Sequence, residues 1–245
     1  MTQTTTIPES LKAGMQRLEA AKAAHLENAR KIDETETAIN RAREQKAELE
    51  QENGEDTNSW RNLFRAGGAV LTDDLKKRHI ERVAQRELAQ ECDNLAQVLE
   101  FEREKLKGAC DSTAKAYRQA HLSVLRDYAE GELKQALETA CGALVRAMKL
   151  KGLVLDNPLA NNTGHQGYVE PDKAVMHQVT LFLEQKISGY NLRLTDEPVL
   201  YKTGLSSLTL PHMDHNVAGT PFANKAFYER MQQLEAQLKA KGLLS

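Results

Sequence analysis

The chain is poor in the side chains that build thick cores: aromatic residues are 5% of its 245 positions, with a single tryptophan, Trp60. That scarcity argues against a deep core built on aromatic side chains. No apolar run of about eighteen residues exists, so no segment is expected to span a membrane. Charge of one sign is also lacking. A formal net charge of −2 excludes a strongly basic chain of the generic nucleic-acid-binding kind. The first residues, Met1-Thr-Gln-Thr-Thr-Thr-Ile-Pro8, lack the basic and apolar blocks of a signal peptide, and the expected compartment is the cytoplasm. Cysteine is sparse: Cys92, Cys110 and Cys141 form an odd set that matches no zinc spacing. In a reducing cytosol each reads as a small buried hydrophobe.

What is present is helix. From Thr72 to Leu150 there is no proline, and apolar or semi-polar residues step by threes and fours. The row is Leu88, Cys92, Leu95, Leu99, Leu106, Cys110, Tyr117, His121, Val124 and Tyr128, resuming through Leu133, Leu137, Ala140, Leu144 and Met148. This is the rhythm of one face of a 3.6-residue helix. As one rod it would reach roughly 120 Å, whereas a compact domain of this length has a radius of gyration of only about 18 Å. Either the rod breaks, near Gly108 or Gly131, or the molecule is elongated and finds partners outside itself.

Before it, a helix is expected from Pro8 to Glu52, with Pro8 in its first turn. Its seam is a heptad, Leu11, Leu18, His25, Ile32, Ile39 and Lys46, beside a mostly small row of Gly14, Ala21, Asn28, Thr35, Ala42 and Leu49. Such a seam needs a partner, either the same chain folded back or another copy, and a coiled-coil-like hairpin is the economical reading. Leu11, Leu18, Ile32 and Ile39 are thus the candidate self-association seam. His25 and Lys46 interrupt it as register-setting residues, with a pH switch at His25 the sharper alternative. Residues 51–58 read as a turn at Asn53-Gly54, and a short helix over 59–65 carries Trp60 and Phe64. Those two aromatics read as a plug on the hairpin or as candidate interface anchors. Thr72 is the expected cap of the long helix. Lys76 to Arg86 is interleaved with acids and reads as a solvated, salt-bridged face.

After Leu150 the style changes. A connector over 151–171 leads to a helix over 171–187, whose stripe is Val175, Met176, Val179, Phe182, Leu183 and Ile187. Residues 189–219 are irregular, with 199–201 also compatible with a short strand. A last helix opens at Thr220-Pro221 and carries Phe227, Met231, Leu234 and Leu238. The expected class is all-α and elongated, with a helical rod and hairpin over 1–150 and a loop-rich part with two helices over 151–245.

Chemistry is not legible. His212-Met-Asp-His215, with His165 or His177 as a distant third, is the best metal candidate, yet it lacks cysteine pairs and helical histidine spacing. Ser206-Ser207 has no nucleophile elbow, and the carboxylates lie on solvated faces. No cofactor, metal or catalytic role is assigned.

Several blocks, taken together, resemble a known family. They are His25-Leu-Glu-Asn-Ala-Arg30, Arg78-His-Ile-Glu-Arg82 and Phe101-Glu-Arg-Glu-Lys-Leu-Lys-Gly-Ala-Cys-Asp-Ser-Thr113, then Asn157-Pro-Leu-Ala160 and Thr163-Gly-His-Gln-Gly-Tyr168, then Leu210-Pro-His-Met-Asp214 and Lys241-Gly-Leu-Leu-Ser245. Their number and order resemble the capsid size determination (Sid) proteins of satellite coliphages, from near the start to the terminus. The resemblance implies an all-α external scaffold that joins into a cage around a helper phage's procapsid. The cage would direct the helper's major capsid protein into a smaller shell, in the cytoplasm of the infected bacterium. It implies homo-oligomeric contacts, no membrane and no nucleic acid. Two alternatives stand beside it. One is a polarity-suppression-type helical protein that inhibits transcription termination factor Rho and decorates capsids. The other is a helical nucleic-acid-binding regulator using Lys76 to Arg86, against which the balanced charge argues.

Replacing Ile32 and Ile39 by Asp is expected to abolish folding of the N-terminal hairpin or self-assembly. Circular dichroism and assembly assays of that variant check this, and unchanged cage formation would count against the seam.

Overall fold

A computed structural model describes residues 7–68, 70–157 and 170–245, and among these every regular element is helical. Chain order is α1 (Glu9–Ala66), α2 (Asp73–Ala140), α3 (Gly142–Leu155), α4 (Pro171–Ser188), a 3-10 turn (Leu194–Asp196), α5 (Pro198–Thr203) and α6 (Pro221–Ala240).

α1 is a single helix of 58 residues, so the turn expected at 51–58 is absent. A glycine inside a helix costs only about 1 kcal/mol, and side-chain ties to α2 hold the helix on either side of Gly54. Glu52 accepts from Gln85 Nε2 at 3.2 Å, and the Trp60 indole N–H donates to the Leu75 carbonyl at 3.1 Å. The chain reverses only past Gly67, where Gly68 takes φ +62°, a conformation cheap for glycine alone. Thr72 then caps α2, its hydroxyl accepting from the Leu75 N–H at 3.4 Å. α2 runs for 68 residues through both Gly108 and Gly131. Neither glycine breaks it; the interruption falls at Cys141. Part of the expected connector over 151–171 is helical too, since α3 continues to Leu155, and most of the remainder lies outside the described residues.

The described residues group into two compact units, one holding the start of α1 with 120–208, the other 19–119 with 209–245. In the second unit α1 and α2 are antiparallel neighbours in constant register. His25 meets Thr113, Arg43 meets Glu100, Lys46 meets Asp93, and Trp60 meets His79. Each step forward along α1 is matched by a near-equal step back along α2. On α1 His25, Ile32 and Ile39 are buried, seven apart, with Ala29 and Ala42 buried beside them. On α2 a matching stripe in sevens is buried, Leu75, Arg82, Ala89 and Ala96, then Cys110 and Tyr117, with half-buried Arg103 filling the gap; Phe101, Asp111 and Ala114 are buried beside it. A seven-residue spacing keeps one stripe of each helix on the other. The expected row is therefore buried only in its later half, at Cys110, Tyr117, His121, Val124 and Tyr128; in its first half Leu88 and Leu95 are 56% and 52% exposed and Ala89 and Ala96 are buried instead. Burying Ile32 and Ile39 stabilises the pair by roughly 1.5–3 kcal/mol each. Lys46 sits 2.5 Å from Asp93. That hydrogen bond, helped by Gln97, holds the Asp93 carboxyl below its ordinary value, and the same contact raises Lys46.

α6 packs on the Phe101 side of α2. Phe101, Met231 and Leu238 form a buried cluster, with Phe227, Leu234, Leu243 and Leu244 against it. Gly108 makes room for this packing, since a Cβ there would stand 2.7 Å from the Phe227 ring. α6 begins at Thr220, whose hydroxyl accepts from the Ala223 N–H at 3.1 Å. It ends with Gly242 at φ +72°. There the Leu243 N–H bonds the Leu238 carbonyl at 2.9 Å and the Gly242 N–H bonds that of Lys239 at 2.9 Å. This is the Schellman closure, with its apolar contact between Leu243 and Leu238.

In the first unit, Leu11, Met15 and Leu18 are buried along with His121, Val124, Tyr128 and Val199. A Cβ on Gly14 would lie 3.3 Å from Val124, so α1 approaches α2 closely there. Residues 199–201 belong to helix α5, not to a strand; Pro198 opens its first turn and Val199 is fully buried. His121 Nε2 donates to the Thr203 carbonyl at 3.1 Å, and the Tyr128 hydroxyl donates to Glu197. Burial first, then the Glu197 carboxylate, push the Tyr128 hydroxyl well above the ordinary tyrosine value. α3 and α4 pack together over Met148, Val175 and Val179. Of the expected α4 stripe only Val175 is buried and Val179 half-buried; Met176, Phe182, Leu183 and Ile187 are exposed.

Replacing Gly108 by Ala is expected to loosen α6 while leaving α2 helical. The alanine gains up to about 1 kcal/mol in helix propensity but collides with Phe227 at a cost of roughly 1–3 kcal/mol. Hydrogen exchange is the measurement: amides of α6 should exchange faster and those of α2 should not.

Candidate interaction surfaces

The candidate seam residues come first. Leu11, Leu18, Ile32 and Ile39 are buried within the single chain, at 4%, 5%, 0% and 1% exposure. The chain's own helices complete this seam, so these side chains offer no open surface to another copy.

At the hairpin tip Trp60 is half-buried and stacks on Phe64, with ring centroids 5.2 Å apart and planes 6° from parallel. The Arg82 guanidinium lies 4.8 Å from the Trp60 ring centroid, a cation–π contact. His79 adds a tilted ring 5.8 Å away. With its N–H bonded to Leu75, Trp60 closes the tip as a plug. The apolar groups left in solvent nearby are Leu63, Val70 and Leu71, at 45%, 63% and 56% exposure. Along the basic stretch Lys76 pairs with Asp73 at 3.0 Å and Arg78 with Asp74 at 3.2 Å. These cations already have partners on their own helix.

Residues 209–219 form a strap across the hairpin, and buried polar groups hold it. His25 is fully buried. Its Nε2 lies 2.8 Å from the Pro211 carbonyl, which can only accept, so that nitrogen carries the proton. Its Nδ1 meets the Thr113 hydroxyl at 3.1 Å. Both ring nitrogens have partners, and His25 is the inner anchor of the strap. Asp111, buried at 5%, accepts from the Ala218 N–H at 2.9 Å and from Lys115 Nζ at 2.9 Å. Lys115 also donates to the Ala218 carbonyl at 2.6 Å, and Arg118 to that of Met213 at 3.1 Å.

The histidine pair nominated for a metal serves the same strap. His212 Nε2 lies 2.7 Å from Asp33 Oδ1, and its Nδ1 lies 3.1 Å from His215 Nε2. His212 is the one non-glycine residue with positive φ among the described residues, at 56°. The turn is thereby tied down at both rings. No group of three or more His, Cys, Asp or Glu that could hold a metal occurs among the described residues; His165 lies outside them. The three cysteines are free thiols, and burial pushes that of Cys110 up.

Asp111, Thr113, Lys115 and Arg118 were missed as site residues because a polar residue that anchors a distant loop carries no periodic signal. The only hint was that Asp111 and Thr113 lie in one of the blocks quoted above.

The exposed apolar surface is concentrated in the first unit. Leu133 and Leu137 on α2 are 62% and 55% exposed. Leu150, Leu153 and Val154 on α3, with Phe182 and Ile187 on α4, are also exposed. No helix among the described residues is long and apolar enough to cross a membrane.

By fold the chain is an all-α protein of long helices that leaves apolar helix surface exposed. Comparison with known proteins makes this specific. The chain is 62% identical over 240 residues to glycoprotein 3 of Enterobacteria phage P4, covering 98% of each. Among solved structures it resembles a chain of the satellite phage P4 procapsid including size determination (Sid) protein. That match has a TM-score of 0.74 and 61% identity, over 95% of this chain and 99% of the other. No protein-family model matches. At this identity and coverage the chain belongs to the family of satellite-phage capsid size determination (Sid) proteins. Neither relative supports the Rho-inhibitor alternative.

Replacing Asp111 by Ala is expected to release the strap. The Ala218 N–H and Lys115 would lose a buried acceptor, at a cost of roughly 1–3 kcal/mol. Limited proteolysis should then cut within 209–219 while α1 and α2 stay intact; an unchanged cleavage pattern would refute the tie.

Proposed function

We propose that this protein is an external scaffold that sets the size of an icosahedral shell. Many copies join into a cage around a helper phage's procapsid, and the cage directs the helper's major capsid protein into a smaller shell. The observation that carries this is the full-length likeness to a size determination protein found in a procapsid. The partners are the major capsid protein and further copies of the chain, in the cytoplasm of the infected bacterium. No catalytic step is needed.

The fold supports the reading. A cage selects curvature only if its members resist bending, and α1 and α2 supply two long helices clamped side by side by their seam. Symmetric contacts between copies set the angles. Each contact with the shell can be weak, because repetition over a lattice multiplies it. The half-buried Trp60 and Phe64, with exposed Leu63, Val70 and Leu71 beside them, make the hairpin tip one candidate for such a contact.

Co-expression with a helper's major capsid protein tests the proposal. Electron microscopy should show shells smaller than those the capsid protein makes without this chain, with the chain on their outside. Shells of unchanged diameter would overturn it.

A further inference from the structure

We propose that the 209–219 strap carries a proton-operated clasp. His212 and His215, seated on Asp33, hold its outer turn closed while the pair carries at most one added proton, and a second proton opens it. Asp33 sets the geometry. Arg30, one turn before it on α1, is already paired with Glu27 and Glu34, and Asp33 meets His212 instead. A carboxylate only accepts, so His212 Nε2, 2.7 Å from Asp33 Oδ1, carries a proton. In a neutral His212 the other nitrogen, Nδ1, is then an acceptor, and His215 Nε2, facing it at 3.1 Å, must donate. A proton added to His212 reverses that bond, with Nδ1 donating and His215 Nε2 accepting. The added charge lies against Asp33, and the clasp stays shut. A further proton puts an N–H on both facing nitrogens. The bond is then lost, and two cationic rings stand with centroids 5.2 Å apart and planes 19° from parallel.

The backbone is set to respond. His212 holds φ at 56°, a region that residues with a Cβ enter only where their surroundings impose it. Its two ring bonds impose it, together with Met213, whose sulfur accepts from the Leu210 N–H at 2.9 Å. Without the ring bonds His212 can return to negative φ. Neighbouring charges do not relieve the pair. From α2, Arg118 brings another cation to the same turn through the Met213 carbonyl, while Lys115 and Asp111 pair with each other at the Ala218 end. The Cys110 thiol, pushed up by burial and then by Asp33, stays neutral. Asp214, between the two histidines, is exposed, so water screens it. His25 of α1 is the third imidazole on the strap. The Thr113 hydroxyl opposite its Nδ1 can accept as well as donate, so its bonds outlast a proton.

The closed turn binds one proton fewer than the open one in acid, so closure strengthens as pH rises. Histidine changes charge between about pH 5 and 8, and the full-length protein is compared at the two ends of that range. Papain cutting within 212–217 is normalised at each pH to cutting of a free peptide of residues 209–219. The wild type should be cut about tenfold or more faster at the acid end, with α1 and α2 intact. His215→Gln supplies an amide that can donate to His212 Nδ1 or accept from it but takes no proton, and its strap should be cut equally slowly at both. Ring resonances followed by NMR should show His212 and His215 titrating in two separate steps. Wild-type cutting that does not change with pH would overturn the clasp. So would a His215→Gln chain that opens in acid as the wild type does, which would move the switch to His25 or to a carboxylate. Should Gln fail to hold the turn at either pH, the ring titration decides: two steps in the wild type uphold the clasp, and one common step overturns it.

Discussion

One stripe of α1 lies on one stripe of α2, each repeating every seven residues, and the remainder of the second unit follows from that match. His25, Ile32 and Ile39 are buried on α1, and Ala89, Ala96, Cys110 and Tyr117 on α2. With the two backbones close, side chains at the edges of the seam reach across it. Lys46 finds Asp93, and Glu52 finds Gln85. At the tip Trp60 finds Arg82 and His79. The hydrophobic term is modest per residue but repeats every seven positions, and repetition is what holds two helices of this length in register.

Polar residues inside this frame anchor the parts that are not hairpin. His25 interrupts an aliphatic seam and is fully buried, which would be costly without partners. Its cost is met by the Pro211 carbonyl and the Thr113 hydroxyl, so the residue that looks like a defect in the heptad is where the 209–219 strap is fastened. Asp111 does the same for the other end of the strap through Ala218. Gly108 provides by absence what these provide by hydrogen bonding, since only a missing Cβ lets Phe227 seat α6. In the first unit His121 and Tyr128 play corresponding parts around α5. His25, Asp111, His121 and Tyr128 are thus committed to internal ties. What remains outward is apolar and charged helix surface.

The element types and most of their ends were legible beforehand. Thr72 and Thr220 cap helices as their side chains predict, and Gly67-Gly68 ends α1. Errors came where a local preference met a packed environment. Asn53-Gly54 has turn chemistry, but a penalty of about 1 kcal/mol is small beside the packing of the turns on either side. The leucine row of α2 had the stronger hydrophobic signal, yet Leu88 and Leu95 stay in solvent while Ala89 and Ala96 pack. A helix can satisfy two periodicities at once, and hydrophobicity does not report which of them faces the neighbour.

By itself, then, the amino-acid order determined that this chain is helical, where most helices begin, and which heptad of α1 seeks cover, because these depend on contacts within a few residues. Its likeness to a capsid-size family was also carried by residue order alone. Tertiary structure decided which stripe of α2 answers α1, that His25 and Asp111 hold a strap about a hundred or more residues away in sequence, and which leucines were left for other molecules. Those outcomes turn on distances between residues far apart along the chain, and no local pattern of side chains encodes them.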